Sequence, residues 1–268
     1  MGGTLVKQPL PAQGIRRISP FLLLHHFGPT TVSPGKDPLG VGAHPHRGFE
    51  PVTFLFSGGI QHRDSKGNVG NLKAGDVQWM TAGSGIVHSE MASPEFLASG
   101  GTMEGIQLRV NPPNTAPIVE AHYQDIPAES IPVLEEEGLK IRLVAGEYKG
   151  KKGPARTHTP VLSIVAEMEA GAETVFQIPI LFNAMLYIVS GVIQTDDKTR
   201  HEKEHLLHFN NDGEGIRIKA AEKSRLLVLG GQPINEPLAQ YGPFVMNNQQ
   251  ELVEAIQDYQ MGKMGQLT

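Results

Sequence analysis

Glycine and proline punctuate this chain so closely that few stretches leave room for a long helix. There are 31 Gly and 20 Pro among 268 residues. Gly supplies turns with positive φ and Pro withholds a backbone donor, so both end regular elements. Between the breaks a period of two appears: Val52, Phe54 and Phe56 alternate with Thr53, Leu55 and Ser57. Such a pattern predicts an all-β chain of short strands and tight turns.

At roughly 150 residues per domain, the length suggests about two domains. In the first, Phe21–Leu24 reads as a short buried strand. His25 and His26 follow it, and at most one of two consecutive strand residues can face a given site. Ser57-Gly-Gly59 reads as a turn, Asp64-Ser-Lys-Gly-Asn68 as a hairpin loop, and His62 between them as a histidine on a strand face or rim. Turns at Leu72–Asp76 and Thr81–Gly85 flank Val77–Met80, whose Trp79 is assigned to the core. Gly105–Val110 closes this unit and Asn111-Pro-Pro-Asn114 ends it. Residues 112–135, with five prolines, are expected to cross irregularly to the next unit.

The second unit offers strands at 161–168, 173–180, 184–189, 205–209, 215–219 and 225–229, preceded by Lys140–Val144. The basic loop Lys149–Arg156 is read as a solvated hairpin loop, because no helix N-terminus follows it to support an anion. Near the end, Asn247 is expected to cap a helix with an apolar stripe of Leu252, Val253, Ile256 and Tyr259 and a stop at Gly262. Setting Phe54-Leu-Phe-Ser57-Gly58 on Tyr187-Ile-Val-Ser190-Gly191 reveals a weak repeat with an offset of 190 − 57 = 133.

Several function classes are disfavoured. A net charge of −5 without a basic run interleaved with aromatics argues against direct nucleic-acid binding. No apolar run approaches membrane-spanning length, and Met1–Lys7 lacks the apolar core of a signal peptide, so a cytoplasmic protein without a membrane role is expected. Absence of Cys removes disulfides, thiolate ligands and a Cys nucleophile, and suits a reducing compartment.

The chemistry concentrates in His44-Pro-His-Arg-Gly-Phe-Glu50 and in His88-Ser-Glu90. Two residues apart on a strand, side chains share a face, so each pair can converge on one ion. The conjunction of two such pairs favours a metal site over hydrogen-bonded turn histidines. The carboxylate stays open: counting by twos from His46 reaches Glu50 unless Gly48 breaks the register, whereas Glu90 needs one step from His88. Glu90 is preferred. The repeat carries His44, His46 and Glu50 onto Gln177, Pro179 and Asn183, none a good transition-metal ligand, so the second unit should hold no metal.

These two stretches, the second extended to Gly75–Met91, resemble the pirin family of the cupin superfamily. Phe21–Leu24 and Glu236-Pro…Gly242-Pro-Phe-Val-Met-Asn247 carry the resemblance further along the chain. It implies two stacked cupin barrels of the double-stranded β-helix or jelly-roll kind with a short C-terminal helix, divided as 1–135, metal-binding, and 136–268, without metal ligands and carrying the helix. It also implies one divalent metal on His44, His46, His88 and Glu90. Fe(II) is the first choice, with Mn, Co, Ni, Cu or Zn as alternatives. Some bacterial pirins resemble flavonol dioxygenases, so the expected partners are a small aromatic flavonol such as quercetin and dioxygen. Glu90 or Glu50 would be the catalytic base, and Val52, Phe54, Phe56 and Trp79 are candidates for either an apolar wall or core. A metal-bearing regulatory protein acting through a protein partner, as a transcriptional co-regulator or metabolic-enzyme modulator, is the alternative. A small-molecule isomerase is a third reading.

Overall fold

A computed structural model describes residues 5–37, 40–114, 119–196, 198–213 and 215–267. Backbone contacts divide the chain into two compact units. One comprises the described parts of Met1–Gln8, Leu22–Ala128 and Asn235–Thr268, the other Pro9–Phe21 and Glu129–Ile234. The tail, expected with the second domain, therefore groups with the first. Residues 1–4, part of the stretch read for a signal peptide, and residues 115–118 of the expected crossing segment lie outside the described residues.

In chain order the strands of the first unit are β1 (Val6–Leu10), β2 (Phe21–Val32), β3 (Val41–His46), β4 (Glu50–Ser57), β5 (Gly59–Asp64), β6 (Val69–Lys73), β7 (Val77–Thr81), β8 (Ile86–Ala92), β9 (Gly101–Val110) and β10 (His122–Ile126), with α1 (Pro94–Ser99) before β9. They form a six-stranded sheet, β1-β2-β9-β4-β7-β10, and a four-stranded sheet, β3-β8-β5-β6. The second unit contains β11 (Val133–Glu136), β12 (Leu139–Ala145), β13 (Glu147–Tyr148), β14 (Lys151–Lys152), β15 (Val161–Met168), β16 (Glu173–Gln177), β17 (Asn183–Ser190), β18 (Val192–Thr195), β19 (Arg200–Glu202), β20 (Leu206–Phe209), β21 (Gly215–Ala220) and β22 (Ser224–Gly231). Its sheets are β11-β12-β15-β22-β17-β20 and β16-β21-β18-β19; the second repeats β3-β8-β5-β6 strand for strand, and in the first β12-β15-β22-β17-β20 repeats β1-β2-β9-β4-β7, with β11 added at one edge and β10 without a counterpart at the other. Each unit is a cupin barrel. The tail adds β23 (Ala239–Tyr241), β24 (Phe244–Met246) and α2 (Gln249–Gln260).

The repeat extends to backbone defects. The β4–β9 ladder shifts register between Leu55 and Ser57, and the β17–β22 ladder between Ile188 and Ser190, both at the offset of 133. Each shift is followed by a glycine at positive φ, Gly58 at 95° and Gly191 at 86°. One extra residue in a ladder bends the strand, and a left-handed glycine then turns the chain into the other sheet.

Some expectations change. Proline density did not prevent residues 122–126 from forming an edge strand, β10, which pairs antiparallel with β7. The 173–180 strand stops at Gln177, just before a turn in which the Phe182 amide donates to the Pro179 carbonyl. Phe21–Leu24 opens a strand that runs on to Val32 and includes His25 and His26. The basic loop is the tight turn between β13 and β14, with Lys149 and Gly150 both at positive φ. Asn248, rather than Asn247, caps α2, its side chain accepting from the Glu251 amide. Leu252 and Ala255 are buried while Val253 and Tyr259 remain exposed, so the apolar stripe is narrower and rotated from the expected one. Leu252 and Ala255 pack with Val87 of β8, Phe244 and Met264. Among the described residues, no helix is long and apolar enough to cross a membrane.

A Cβ added at Gly191 would sit 2.3 Å from the Lys223 carbonyl oxygen and 2.3 Å from Ser224 Oγ, whereas one at Gly213 would meet nothing within 4 Å. Gly191→Ala should cost roughly 1–3 kcal/mol through left-handed strain, and more from the clash. Gly213→Ala should be close to neutral in the same urea titration. Equal midpoints for the two variants would contradict the assigned turn.

Candidate metal centre

Antiparallel pairing of β3 with β8 sets His44 directly opposite His88 and His46 opposite Ile86. Two residues apart, His44 and His46 share a face and meet His88 there. Ring centroids are 4.3 Å apart for His44 and His88, 4.7 Å for His44 and His46, and 4.7 Å for His46 and His88. One nitrogen from each ring lies within 4.8 Å of the others, a group able to hold a divalent ion.

Hydrogen bonding fits these rings to a metal. The His44 Nδ1–H donates to the Gly42 carbonyl at 2.8 Å, which leaves Nε2 as a lone pair, 3.1 Å from His46 Nε2. His88 Nδ1 faces His62 Nδ1 at 3.4 Å, while His88 Nε2 is buried without a hydrogen-bond partner. An orphaned buried nitrogen costs about 1–3 kcal/mol unless a ligand bond uses it. Burial drives His46 and His88 well below the ordinary histidine pKa, reinforced for His46 by His44 and then Arg109, and for His88 by His46 and then His44. Both are therefore neutral near pH 7, the form that coordinates a metal.

Glu90 lies two residues beyond His88 and is buried. Its Oε1 accepts from Thr53 Oγ1 at 3.3 Å and its Oε2 from Gln107 Nε2 at 3.1 Å. Burial raises its pKa, opposed by His44, Thr53, Gln107 and Arg109. Glu90 is held beside the three imidazoles but is not one of the tight group.

Glu50 is placed differently. Gly48, at a φ of +83°, breaks the two-residue count from His46, and Glu50 then begins β4. Continuous pairing puts Glu50 opposite Val110, Pro51 opposite Arg109 and Thr53 opposite Gln107. Since Thr53 and Gln107 reach Glu90, Glu50 projects from the other face of this sheet, where Thr81 Oγ1 donates to its Oε1 at 3.0 Å. Glu50 thus does not share the face of the imidazoles. Val52 and Phe54 share the Glu50 face and are buried, and Trp79, paired with Val52, is fully buried beside them. Val52, Phe54 and Trp79 are core and do not wall the site, whereas Phe56 is half-buried at the register shift between Leu55 and Ser57.

His62 proves closer to the site than a rim histidine. It is 1 % exposed, its ring centroid lies 5.0 Å from that of His88, and Tyr123 packs on its other side at 4.3 Å. The signal was in the register: on the β5–β8 pair His62 stands opposite Glu90 and Asp64 opposite His88. His25 and His26 do not join the group; His25 Nε2 bonds Gln8 at 2.9 Å and His26 Nε2 lies 3.4 Å from Glu104.

Among the described residues the second unit carries no counterpart. Superposing the equivalent pairs, Ile60 opposite Ala92 and Ile193 opposite Ala220, sets His88 on Ile216, Glu90 on Ile218 and His62 on Thr195. Phe176 faces Ile216, so His44 corresponds to Phe176, one residue before the expected Gln177. Phe176, Ile216 and Ile218 are buried in that unit's core.

Comparison with known proteins matches residues 3–110 to the pirin family model and residues 164–265 to the model of the pirin C-terminal cupin domain. A pirin-like protein of Solanum lycopersicum is 41 % identical, over 98 % of this chain and 88 % of the relative. Human pirin is 34 % identical over 98 % and 89 %. The crystal structure of a quercetin 2,3-dioxygenase from Acinetobacter baumannii superposes with a TM-score of 0.90 at 40 % identity, covering 94 % of this chain and 88 % of that one.

Keeping the imidazoles neutral sets an acid limit. His62 is pushed down to about 4, chiefly by burial. In an unfolded chain a histidine titrates near about 6.5. As pH falls from there towards about 4, the unfolded state takes up protons that the folded state refuses, so stability declines. The urea midpoint of metal-free protein should fall between about pH 6.5 and about pH 4.5, and less steeply in His62→Asn. A midpoint constant over that window would contradict the neutral, buried assignment.

Proposed function

The chain belongs to the pirin family, and from that premise we propose that it is a metal-dependent dioxygenase that opens flavonols such as quercetin with release of carbon monoxide. The observation that carries this reading is the group of three imidazoles at the β3–β8 pair, of which His46 and His88 are buried and neutral. The fold similarity to the Acinetobacter baumannii quercetin 2,3-dioxygenase supports the substrate class.

In this reading His44, His46 and His88 hold the ion and Glu90 completes the set. A divalent first-row ion there supplies Lewis-acid and redox chemistry to a chelating substrate and to dioxygen. Fe(II) is the first choice, and Mn, Co, Ni, Cu and Zn suit the same donors. Glu90 is also the proton acceptor for the flavonol hydroxyl. Burial raises its pKa in the metal-free site, the direction that favours proton uptake. Because Thr53 and Gln107 hold opposite oxygens, the carboxylate can take the proton on one oxygen while the other stays anchored. His62 and Tyr123, packed behind His88, keep water from that side.

Metal-loaded protein should consume oxygen and release carbon monoxide with quercetin, and Glu90→Gln should lower kcat by roughly 100-fold or more. Absence of turnover with every loaded metal would favour the regulatory alternative. By elemental analysis, His44→Ala and His88→Ala should each lose stoichiometric metal while Gln177→Ala keeps it. Full metal in either histidine variant would defeat the ligand assignment.

A further inference from the structure

Arg109 is a cation beside the metal site that makes no ion pair among the described residues. On β9 it stands two residues from Gln107, so it shares the face from which Gln107 Nε2 reaches Glu90. Its guanidinium lies 4.7 Å over the Phe49 ring, and Phe49 meets the His46 imidazole edge-on at 4.9 Å. The Arg109 charge is felt at His46, His88 and Glu90. Of its five N–H donors one is used, Nη1 to the Gly242 carbonyl at a long 3.4 Å, and Nε is out of contact with solvent and without an acceptor. Glu90 spends its oxygens on Thr53 and Gln107 instead. Burial draws Arg109 down to about 10, which leaves it cationic at neutral pH. A half-buried guanidinium whose Nε is buried without an acceptor keeps the fork geometry that oxyanions accept.

We infer that Arg109 is the group that recognises negative charge on the substrate, so that the site takes its chelating ligand as an organic anion of the enolate or phenolate class. This deepens the dioxygenase reading and rests on it for the metal. Once Glu90 has taken the hydroxyl proton, the charge left on the substrate oxygens would be met by the idle Arg109 donors, and the Phe49 ring between Arg109 and His46 would fix the distance from cation to metal site. Arg109 would then select ionised chelators over neutral ligands of similar size.

The experiment uses Co(II)-loaded full-length protein under argon, with ligand entry read from the visible absorption of the ion. Tropolonate is the anionic chelating probe and imidazole the neutral one. Arg109→Met should weaken tropolonate binding about 10- to 100-fold, the scale of charge-assisted hydrogen bonds, and leave imidazole affinity within about twofold. Arg109→Lys should recover part of the loss, because charge returns without the fork. Equal weakening of both probes, or unchanged tropolonate affinity, overturns the inference. So does loss of cobalt from Arg109→Met, which would make Arg109 a support of the site and not a reader of substrate. Quercetin turnover by the unmodified protein, with tropolonate binding indifferent to Arg109, removes this inference alone. Arg109-dependent tropolonate binding in a protein inert towards quercetin removes the flavonol reading alone.

Discussion

The site depends on the antiparallel pairing of β3 with β8. That ladder places His44 opposite His88 and, through the two-residue step to His46, gathers three imidazoles on one buried face. Pairing on the far side of β8 brings His62 opposite Glu90 and Asp64 opposite His88. One strand thus carries the centre of the site, and its neighbours supply the remaining donors and their support. A one-residue slip of β3 would turn His44 and His46 towards solvent, so the irregularity between Val41 and His44 has to be accommodated without changing which face they present.

The two barrels show what this arrangement costs. The order of all but the edge strands and the same ladder shifts recur in the second unit, yet Phe176, Ile216 and Ile218 fill the positions of His44, His88 and Glu90. An apolar interior gains hydrophobic free energy from such residues and leaves no polar atom unsatisfied. The first barrel instead buries imidazoles that must stay neutral and a carboxylate whose pKa is raised. Stability is given up in one copy of the fold and retained in the other, which is expected where polar groups are kept for binding and not for packing.

Spacing in the sequence was enough to set His44 with His46, and His88 with Glu90, on shared strand faces, because i, i+2 pairs need no tertiary information, whereas the meeting of His44 and His46 with His88 comes from the β3–β8 ladder. The repeat at an offset of 133 was equally legible, since Gly58 and Gly191 follow matching strand ends. What could not be read were relations set by register between distant strands. His62 looked like a rim residue until the β5–β8 ladder put it against His88. β10 was hidden by prolines on either side. The tail helix seemed to belong with the sequence before it, whereas Leu252 and Ala255 find their apolar surface on Val87 and Phe244.

The choice between Glu50 and Glu90 turned on a single backbone angle. With Gly48 in an ordinary extended conformation, counting by twos would carry Glu50 onto the imidazole face. At +83° the chain reverses that parity before β4 begins. A side chain is also excluded at Gly48, since a Cβ would lie 1.8 Å from the Val245 carbonyl oxygen. The flanking Arg47 uses its position to bind the tail, Nε donating to the Ser84 carbonyl at 2.7 Å and Nη1 to Asp258 of α2 at 3.0 Å. Phe49 then reaches back to the His46 ring and forward beneath Arg109. Five residues therefore end one strand of the imidazole group, bind the C-terminal helix through Arg47 and place Phe49 between His46 and Arg109, while Glu50 at their end turns to the opposite face of its sheet.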